Sequence, residues 1–231
     1  MILKNIGYKI LDGVYVFFIG VENIVAYVTK SLGQIVDYKR IDKQFNIDTQ
    51  LISDSTYIPI STKVFNLIMK NLDDKNDYCF FDYGSGKGKA LILAAEAGIK
   101  YVSGIEFDKD LVELSEVNLE KYRMHTNKDV HFNVIYGDAT KWTEIDEYNL
   151  FFINNSFGGN PSEERMVAKI LKNIEESLKR KKRQLYIIYV HPSISLQKLF
   201  NAYNWLSDKK IILNPYRPKM DKAYIYIFNI K

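Results

Sequence analysis

One short stretch of this chain, residues 79–98, restricts the possible folds more than any other part of it. The apolar run Cys-Phe-Phe-Asp-Tyr at residues 79–83 has the length and composition of a buried strand. It leads directly into Gly-Ser-Gly-Lys-Gly at residues 84–88, and a helix is predicted over residues 87–97, with Gly98 just past its end. Glycines between a strand and a helix let the backbone turn sharply and approach a ligand closely. The junction therefore predicts an α/β fold with a ligand site after this strand.

The rest of the chain alternates strand and helix patterns. Strands are predicted at residues 101–106, 131–136, 148–153 and 184–190, and helices at residues 62–72 and 108–122, from residue 161, and at 194–201. Two last strands, 209–213 and 223–228, have no helix between them, so we expect an antiparallel pair. The pattern predicts a Rossmann-like, seven-stranded, mostly parallel sheet with helices on both faces. Residues 51–231 would form this domain, and residues 1–50 an N-terminal helical extension.

Acidic residues follow each of the first three strands of the predicted domain. Asp82 lies at the end of the first strand, Glu106 at the end of the second, and Asp138 just after the third. In open α/β sheets, ligands bind beyond the carboxyl ends of the strands. Glu106 is placed to accept hydrogen bonds from ribose hydroxyls, and Asp138 from an adenine amino group, while Ala139 offers its backbone N–H to the ring. Taken alone, Asp138 would equally fit a turn.

The spacing of the glycines separates three kinds of nucleotide site. A dinucleotide site has Gly-x-Gly-x-x-Gly, whereas the third glycine here, Gly88, comes one position early. A phosphate loop has Gly-Lys-Ser or Gly-Lys-Thr after a four-residue spacer, and this pattern is absent. The third kind is the site of a methyltransferase, where the glycines Gly84 and Gly86 admit the methionine part of S-adenosylmethionine. Methyl transfer needs neither a nucleophilic residue nor a metal, because the cofactor carries the reactive group.

The segment after the fourth strand is where we expect the methyl acceptor. It reads Asn-Asn-Ser-Phe-Gly-Gly at residues 154–159. Asn155 and Phe157 are the candidates for positioning the acceptor, because an amide oxygen can orient an amine and an aromatic face can hold a planar or cationic group. The alternative is a polar turn that leads into the helix beginning at Pro161.

These motifs resemble the cofactor motifs of class I S-adenosylmethionine-dependent methyltransferases over about residues 50–231. The glycine loop is similar both to that of a poorly characterised bacterial group with an Asp-x-Gly-Ser-Gly-Lys-Gly loop and to that of the non-SET histone lysine methyltransferases. The bacterial group often has Asn-Pro-Phe after the fourth strand, where this chain has Asn-Ser-Phe at residues 155–157. The resemblance implies that the following residues contact the cofactor: Tyr57, Asp82, Gly84, Ser85, Gly86, Glu106, Phe107, Asp138, Ala139 and Asn155.

Charge does not favour a nucleic-acid partner. The net charge is only +4, and the densest basic run, residues 179–183, falls at the end of a predicted helix, where cations complement the helix dipole. A small molecule, a sugar or a protein side chain is therefore the expected acceptor. A methyltransferase acting on RNA or DNA and a non-catalytic binding module of the same fold remain the alternatives.

The remaining features concern location and assembly. The chain has a single cysteine, Cys79, and no Cys/His cluster with metal-binding spacing, so we expect a cytoplasmic protein without a metal. Residues 13–21 form an uncharged run that is too short to span a membrane, which takes about 20 apolar residues. Residues 14–28 have helical apolar spacing. We expect an amphipathic helix there that packs on the domain or mediates a homo-oligomer.

Overall fold

A computed structural model describes residues 40–50, 57–154, 156–157, 162–213 and 222–228. The chain divides into two compact units, Met1–Ile41 and Asp42–Lys231. The predicted amphipathic helix at residues 14–28, and any oligomer contact made through it, lie outside the described residues. The predicted domain boundary at residue 50 stays a prediction. Within the described part of the chain, no helix has the length and apolar character needed to cross a membrane.

The second unit is built on one seven-stranded sheet, as predicted. The strands are β1 (Cys79–Tyr83), β2 (Tyr101–Glu106), β3 (His131–Tyr136), β4 (Leu150–Asn154), β5 (Leu185–Val190), β6 (Asp208–Leu213) and β7 (Lys222–Phe228). Their order in the sheet is β3-β2-β1-β4-β5-β7-β6. The first five strands are parallel to one another, and β7 pairs antiparallel with both β5 and β6. The helices are α1 (Thr62–Met69), α2 (Lys89–Glu96), α3 (Lys109–His125), α4 (Glu163–Arg180) and α5 (Ile194–Asn201).

Helices cover both faces of the sheet because successive strand residues point to opposite sides. On one face, Phe80 of β1 and Phe152 of β4 pack against Phe65 of α1, with ring centroids 6.1 and 5.4 Å from the Phe65 ring. On the other face, Phe81 and Phe151 belong to a fully buried cluster that includes the apolar side of α4 and Phe200 of α5. The consequence is that the central strands β1, β4 and β5 are buried on both sides, with their carboxyl ends left for a ligand.

Several element boundaries differ from the sequence prediction, each by one to three residues. The helix after the glycine loop begins at Lys89 rather than residue 87, because Gly86 and Gly88 have φ of +52° and +80°, outside the helical region. Helix α3 continues to His125, three residues beyond the predicted end at Tyr122. Its start is as predicted, since the Asp108 carboxylate accepts hydrogen bonds from the backbone N–H groups of Asp110 and Leu111.

The basic run at residues 179–183 is engaged with the loop that precedes β4. Arg180 makes two hydrogen bonds to Asp146, at 2.7 and 2.9 Å, and these lower the pKa of Asp146 to about 2. Arg183 donates to the backbone carbonyls of Ile145 and Tyr148, at 2.9 and 2.6 Å. The run therefore fastens the end of α4 to this loop.

Candidate functional site

A cleft of about 330 Å³ opens at the carboxyl ends of β1, β2 and β4. This is the edge at which ligands bind in open α/β sheets. Tyr57 and the three residues that follow it form one wall, and the loop after β1 forms the floor. The lining residues are Tyr57, Ile58, Pro59, Ile60, Asp82, Gly84, Ser85, Lys89, Ala90, Glu106, Phe107, Asp108, Leu111, Phe152, Asn154, Ser156, Phe157 and Met166.

The backbone conformation of the glycine loop depends on residues that have no side chain. The backbone N–H groups of Gly84 and Ser85 both donate to the carbonyl of Ile105, at 2.8 and 3.1 Å, which ties the loop to β2. Gly86, with φ of +52°, lies directly under the ring of Tyr57, and a Cβ there would be 2.2 Å from the Tyr57 Cε2 atom. Only glycine combines this conformation with so close an approach. Gly86 is therefore buried beneath the wall and does not line the cleft itself.

Glu106 is buried, with 5% of its surface exposed, and its carboxylate braces the glycine loop. Its Oε2 atom accepts from the backbone N–H of Gly86 at 2.9 Å, and its Oε1 atom accepts from Phe107 and Asp108 at 2.9 and 3.0 Å. Burial raises the pKa of Glu106, and these three hydrogen bonds act in the opposite direction. The predicted ribose-binding residue thus also holds the cofactor loop in place.

Asp82 supplies a second buried carboxylate on the floor of the cleft. It is 3% exposed, and its Oδ1 atom has no hydrogen-bond partner among the residues that the structure describes. Burial, together with the charge of Glu106, raises the pKa of Asp82 well above its usual value. The Ser85 hydroxyl, which also lines the cleft, likewise lacks a partner within the described residues. Buried polar atoms of this kind fit a polar ligand that hydrogen-bonds to them, since an unsatisfied buried group is costly.

Three further residues that were predicted to contact the cofactor, Phe107, Asp138 and Ala139, are less enclosed. Phe107 lines the cleft, and 70% of its surface is exposed, which leaves its ring available to a flat partner. Asp138 and Ala139 are not among the lining residues. The Asp138 carboxylate accepts from the backbone N–H and the hydroxyl of Thr140, at 2.9 and 2.8 Å, and these bonds lower its pKa. The adenine contact of Asp138 and Ala139 stays a prediction.

The end of β4 forms the side of the cleft opposite Glu106. The side-chain amide of Asn154 donates to the carbonyl of Ile58 at 3.0 Å, which fastens the Tyr57 wall to this strand. Ser156 lies against Gly84, where an added Cβ would be 2.6 Å from the Ser156 Cβ. Phe157 lines the cleft and packs partly on the core cluster. Asn155 lies outside the described residues, so its role in binding the cofactor and the acceptor stays a prediction.

Several site residues were not identified from the sequence. Asn154 carries no local signal that separates it from Asn155, and its hydrogen bond joins residues 96 positions apart. Lys87 is a second case, because a lysine beside glycines gives no indication of burial. It lies 3.1 Å from Asp48, with only 4% of its side chain exposed. In the part of the chain that the structure covers, no group of three His, Cys, Asp or Glu residues is arranged to hold a metal.

The strand order, the antiparallel β7 and the glycine cleft beside two buried carboxylates define the class of S-adenosylmethionine-dependent methyltransferases. The family model described as histone methylation protein DOT1 matches residues 48–179, more than half of the chain. The chain therefore belongs to the DOT1 family, and its cofactor is S-adenosylmethionine. This result confirms the methyltransferase activity, the cofactor and the fold class predicted from the sequence.

Solved structures with the same fold include methyltransferases of several kinds. An RNA methyltransferase from Salinibacter ruber, in complex with S-adenosyl-L-homocysteine, is 18% identical, with a TM-score of 0.53 over 75% of this chain and 95% of that one. An O-methyltransferase from Thermotoga maritima is 15% identical, with a TM-score of 0.57 over 76% and 68% of the two chains. A human methyltransferase 10 domain containing protein is 14% identical, with a TM-score of 0.60 over 87% and 98%. No curated protein matches the sequence.

Proposed function

We propose that the cleft holds S-adenosylmethionine between Asp82, Glu106 and the glycine loop, and that the methyl acceptor enters beside Phe157. One observation carries this proposal: two buried carboxylates face a single cleft from neighbouring strand ends, and one of them has an oxygen without a partner in the described structure. The cofactor offers groups that match both carboxylates, namely an ammonium group and two ribose hydroxyls. The residues present therefore fit the cofactor.

Each group of the cleft has a proposed part in holding the cofactor. Asp82 would accept hydrogen bonds from the ammonium group of the methionine moiety, and Glu106 would accept from the ribose hydroxyls. The exposed ring of Phe107 would pack on the adenine. The close approach of Tyr57 to Gly86 would exclude water from the methionine side.

The acceptor side depends on orientation rather than on a reactive residue. S-adenosylmethionine, when bound, supplies a methyl group on a sulfonium, which a nucleophile displaces in line. Phe157, and Asn155 as predicted from the sequence, would orient that nucleophile. A small molecule or a protein side chain suits this arrangement better than a nucleic acid. Residues 179–183 would be the basic footprint on a nucleic acid, but Arg180 and Arg183 already bond to the loop before β4.

Calorimetric titration with S-adenosylmethionine, S-adenosyl-L-homocysteine, NAD and ATP tests the cofactor site. We expect the first two ligands to bind and the last two to bind far more weakly. A clear preference for NAD or ATP would refute the assignment of the cleft. The variant Asp82→Ala serves as the control, since it removes the buried carboxylate and should abolish binding of the two methionine-containing ligands without unfolding the sheet.

The acceptor can be identified with the same protein. Cell extract incubated with the enzyme and methyl-labelled cofactor, followed by mass spectrometry, should reveal a labelled small molecule or protein. The Asp82→Ala variant provides the blank. Label recovered only in RNA or DNA would contradict the proposed acceptor class while leaving the cofactor site intact.

A further inference from the structure

Lys87, within the glycine loop, is a buried residue whose ammonium group lies between Asp48 and the Tyr57 ring. Its Nζ atom is 3.1 Å from Oδ2 of Asp48, a residue 39 positions earlier in the chain. The Lys87 side chain is 4% exposed, whereas that of Asp48 is 55% exposed. The ammonium group is thus the buried member of the pair, and the carboxylate reaches it from the surface.

Asn118 of α3 fixes both members of this pair through their backbones. Its side-chain amide donates to the carbonyls of Asp48 and Lys87, at 2.8 and 3.0 Å. Its side-chain oxygen accepts from the backbone N–H of Asp48 at 2.9 Å. Asn118 is itself 2% exposed, so these bonds are shielded from water. The ion pair is therefore held at both backbones by one buried side chain.

The same ammonium group faces the wall of the cleft. The Nζ atom of Lys87 lies 5.9 Å from the centre of the Tyr57 ring, within the range of a cation–π contact. The neighbouring residue, Gly86, has no side chain to separate the ring from the loop. One buried charge thus contacts both the ring that forms the wall and Asp48.

Stability alone does not account for a lysine at this position. Burying an ammonium group costs desolvation energy, and an apolar side chain of similar size is often as stable or more stable in such a place. A buried charge that carries this cost is accounted for if it orients a neighbouring group. Within the part of the chain that the structure describes, the aromatic ring that this ammonium group faces is that of Tyr57.

We propose that Lys87 is a positioning residue that holds the Tyr57 ring over the glycine loop, and that Asp48 and Asn118 orient Lys87 for this purpose. The inference rests on the proposed cofactor site, because the Tyr57 wall matters only if a ligand occupies the cleft. Lys87 and Asp48 themselves do not touch the cofactor. Loss of the Lys87 charge lets the Tyr57 ring move away from the glycine loop. Cofactor binding then weakens although every group that contacts the cofactor is still present.

The test uses the full chain carrying Lys87→Met, which keeps an unbranched side chain one atom shorter and removes its charge. Asp48→Asn serves as a second variant that acts from the surface and does not disturb the core. Asp146→Asn is the control for Asp48→Asn, because it likewise removes a partly exposed carboxylate from an ion pair, with Arg180 at 2.7 Å, and neither member of that pair lines the cleft. Lys87→Arg tests rescue by a conservative change.

The first measurement concerns the ligand-free protein. Protein labelled with 3-fluorotyrosine gives a 19F resonance for Tyr57 that Tyr57→Phe assigns, and its solvent isotope shift reports exposure of the ring. We expect the exposure of Tyr57 to rise in Lys87→Met and in Asp48→Asn, and to stay at the wild-type value in Asp146→Asn and Lys87→Arg. An unchanged Tyr57 signal in both test variants would overturn the proposal.

The second measurement is the affinity for S-adenosyl-L-homocysteine. We expect Lys87→Met to weaken binding roughly fivefold to thirtyfold, the range of a desolvated cation–π contact. In a Tyr57→Leu background, the same change should have an effect of less than about twofold, because the ring is no longer there to be held. An equal loss in both backgrounds would show that Lys87 acts on the cofactor without Tyr57, and would refute the positioning role. Failure of the wild-type protein to bind would refute the proposed cofactor site, while the 19F result would still decide the role of Lys87.

Discussion

Replacing Glu106 with Gln should reveal that this residue has two tasks. From the sequence alone, the change would affect only the contact with ribose. In the structure, the two carboxylate oxygens accept three backbone N–H groups, from Gly86, Phe107 and Asp108. A glutamine has one oxygen in place of two, so its NH₂ group must face at least one of these N–H donors. We therefore expect Glu106→Gln to destabilise the ligand-free protein as well as weaken cofactor binding.

The size of the effect follows from the number of bonds lost. Glu106 is 5% exposed, so the bonds are not shared with solvent. The smallest loss is one bond to a charged acceptor, the one from Gly86, which corresponds to about 1.5–3 kcal/mol. Relief of the repulsion with Asp82 offsets part of this loss, since the charge of Glu106 is one cause of the raised Asp82 pKa. For a chain of this size, the same range corresponds to a fall in Tm of roughly 3–12 °C, with the lower half expected.

Thermal unfolding of the ligand-free protein, combined with calorimetric titration of S-adenosylmethionine, checks both tasks. Affinity should fall by roughly tenfold to a hundredfold, the equivalent of one charge-assisted bond. Glu113→Gln is the control. Glu113 is exposed and forms a long surface ion pair with Lys109, at 3.7 Å, so we expect this change to alter neither Tm nor cofactor affinity. A Tm equal to that of the wild type would refute the bracing role of Glu106, and an unchanged affinity would refute its contact with ribose.

Three further predictions address the rest of the cleft. Because Asp82 has a raised pKa, the folded state binds its proton more tightly, so stability should decline as the pH rises from the ordinary value of 3.8 through the raised pKa. Asp82→Asn should remove that decline in pH-dependent unfolding, raise Tm at neutral pH and weaken cofactor binding, and an unchanged pH profile would contradict the assignment. Gly86→Ala should lower both Tm and cofactor affinity, since the new Cβ would be 2.2 Å from the Tyr57 ring. Gly98 also has a positive φ, but a Cβ there would meet no atom nearer than 3.9 Å, so Gly98→Ala should lower Tm alone. Phe157→Ala should leave cofactor affinity within a few-fold of wild type while turnover of the acceptor falls by roughly 10²-fold, and an equal loss of both would place Phe157 on the cofactor.

Strands and loops with strong local patterns were predicted closely. The bounds of β1, β2 and β3 agree with the sequence prediction at both ends, because each is a run rich in strand-forming residues with a glycine or a charged residue within two positions of either end. The antiparallel pairing of β6 and β7 followed from the missing helix between them. Asp82 and Glu106 were identified by their position at the end of a strand and Phe107 by the family resemblance, and all three line the cleft.

The sequence by itself determined which residues lie at the carboxyl edge of the sheet, because strand period and turn chemistry are local properties. Only the tertiary structure decided what those residues contact. The bond from Gly86 to Glu106 spans 20 residues, the pair of Lys87 and Asp48 spans 39, and the bond from Asn154 to Ile58 spans 96. No local pattern in the sequence announces these contacts, since each forms only when the fold brings together segments that are distant in the chain. The Tyr57 wall and the brace under the glycine loop are products of that packing.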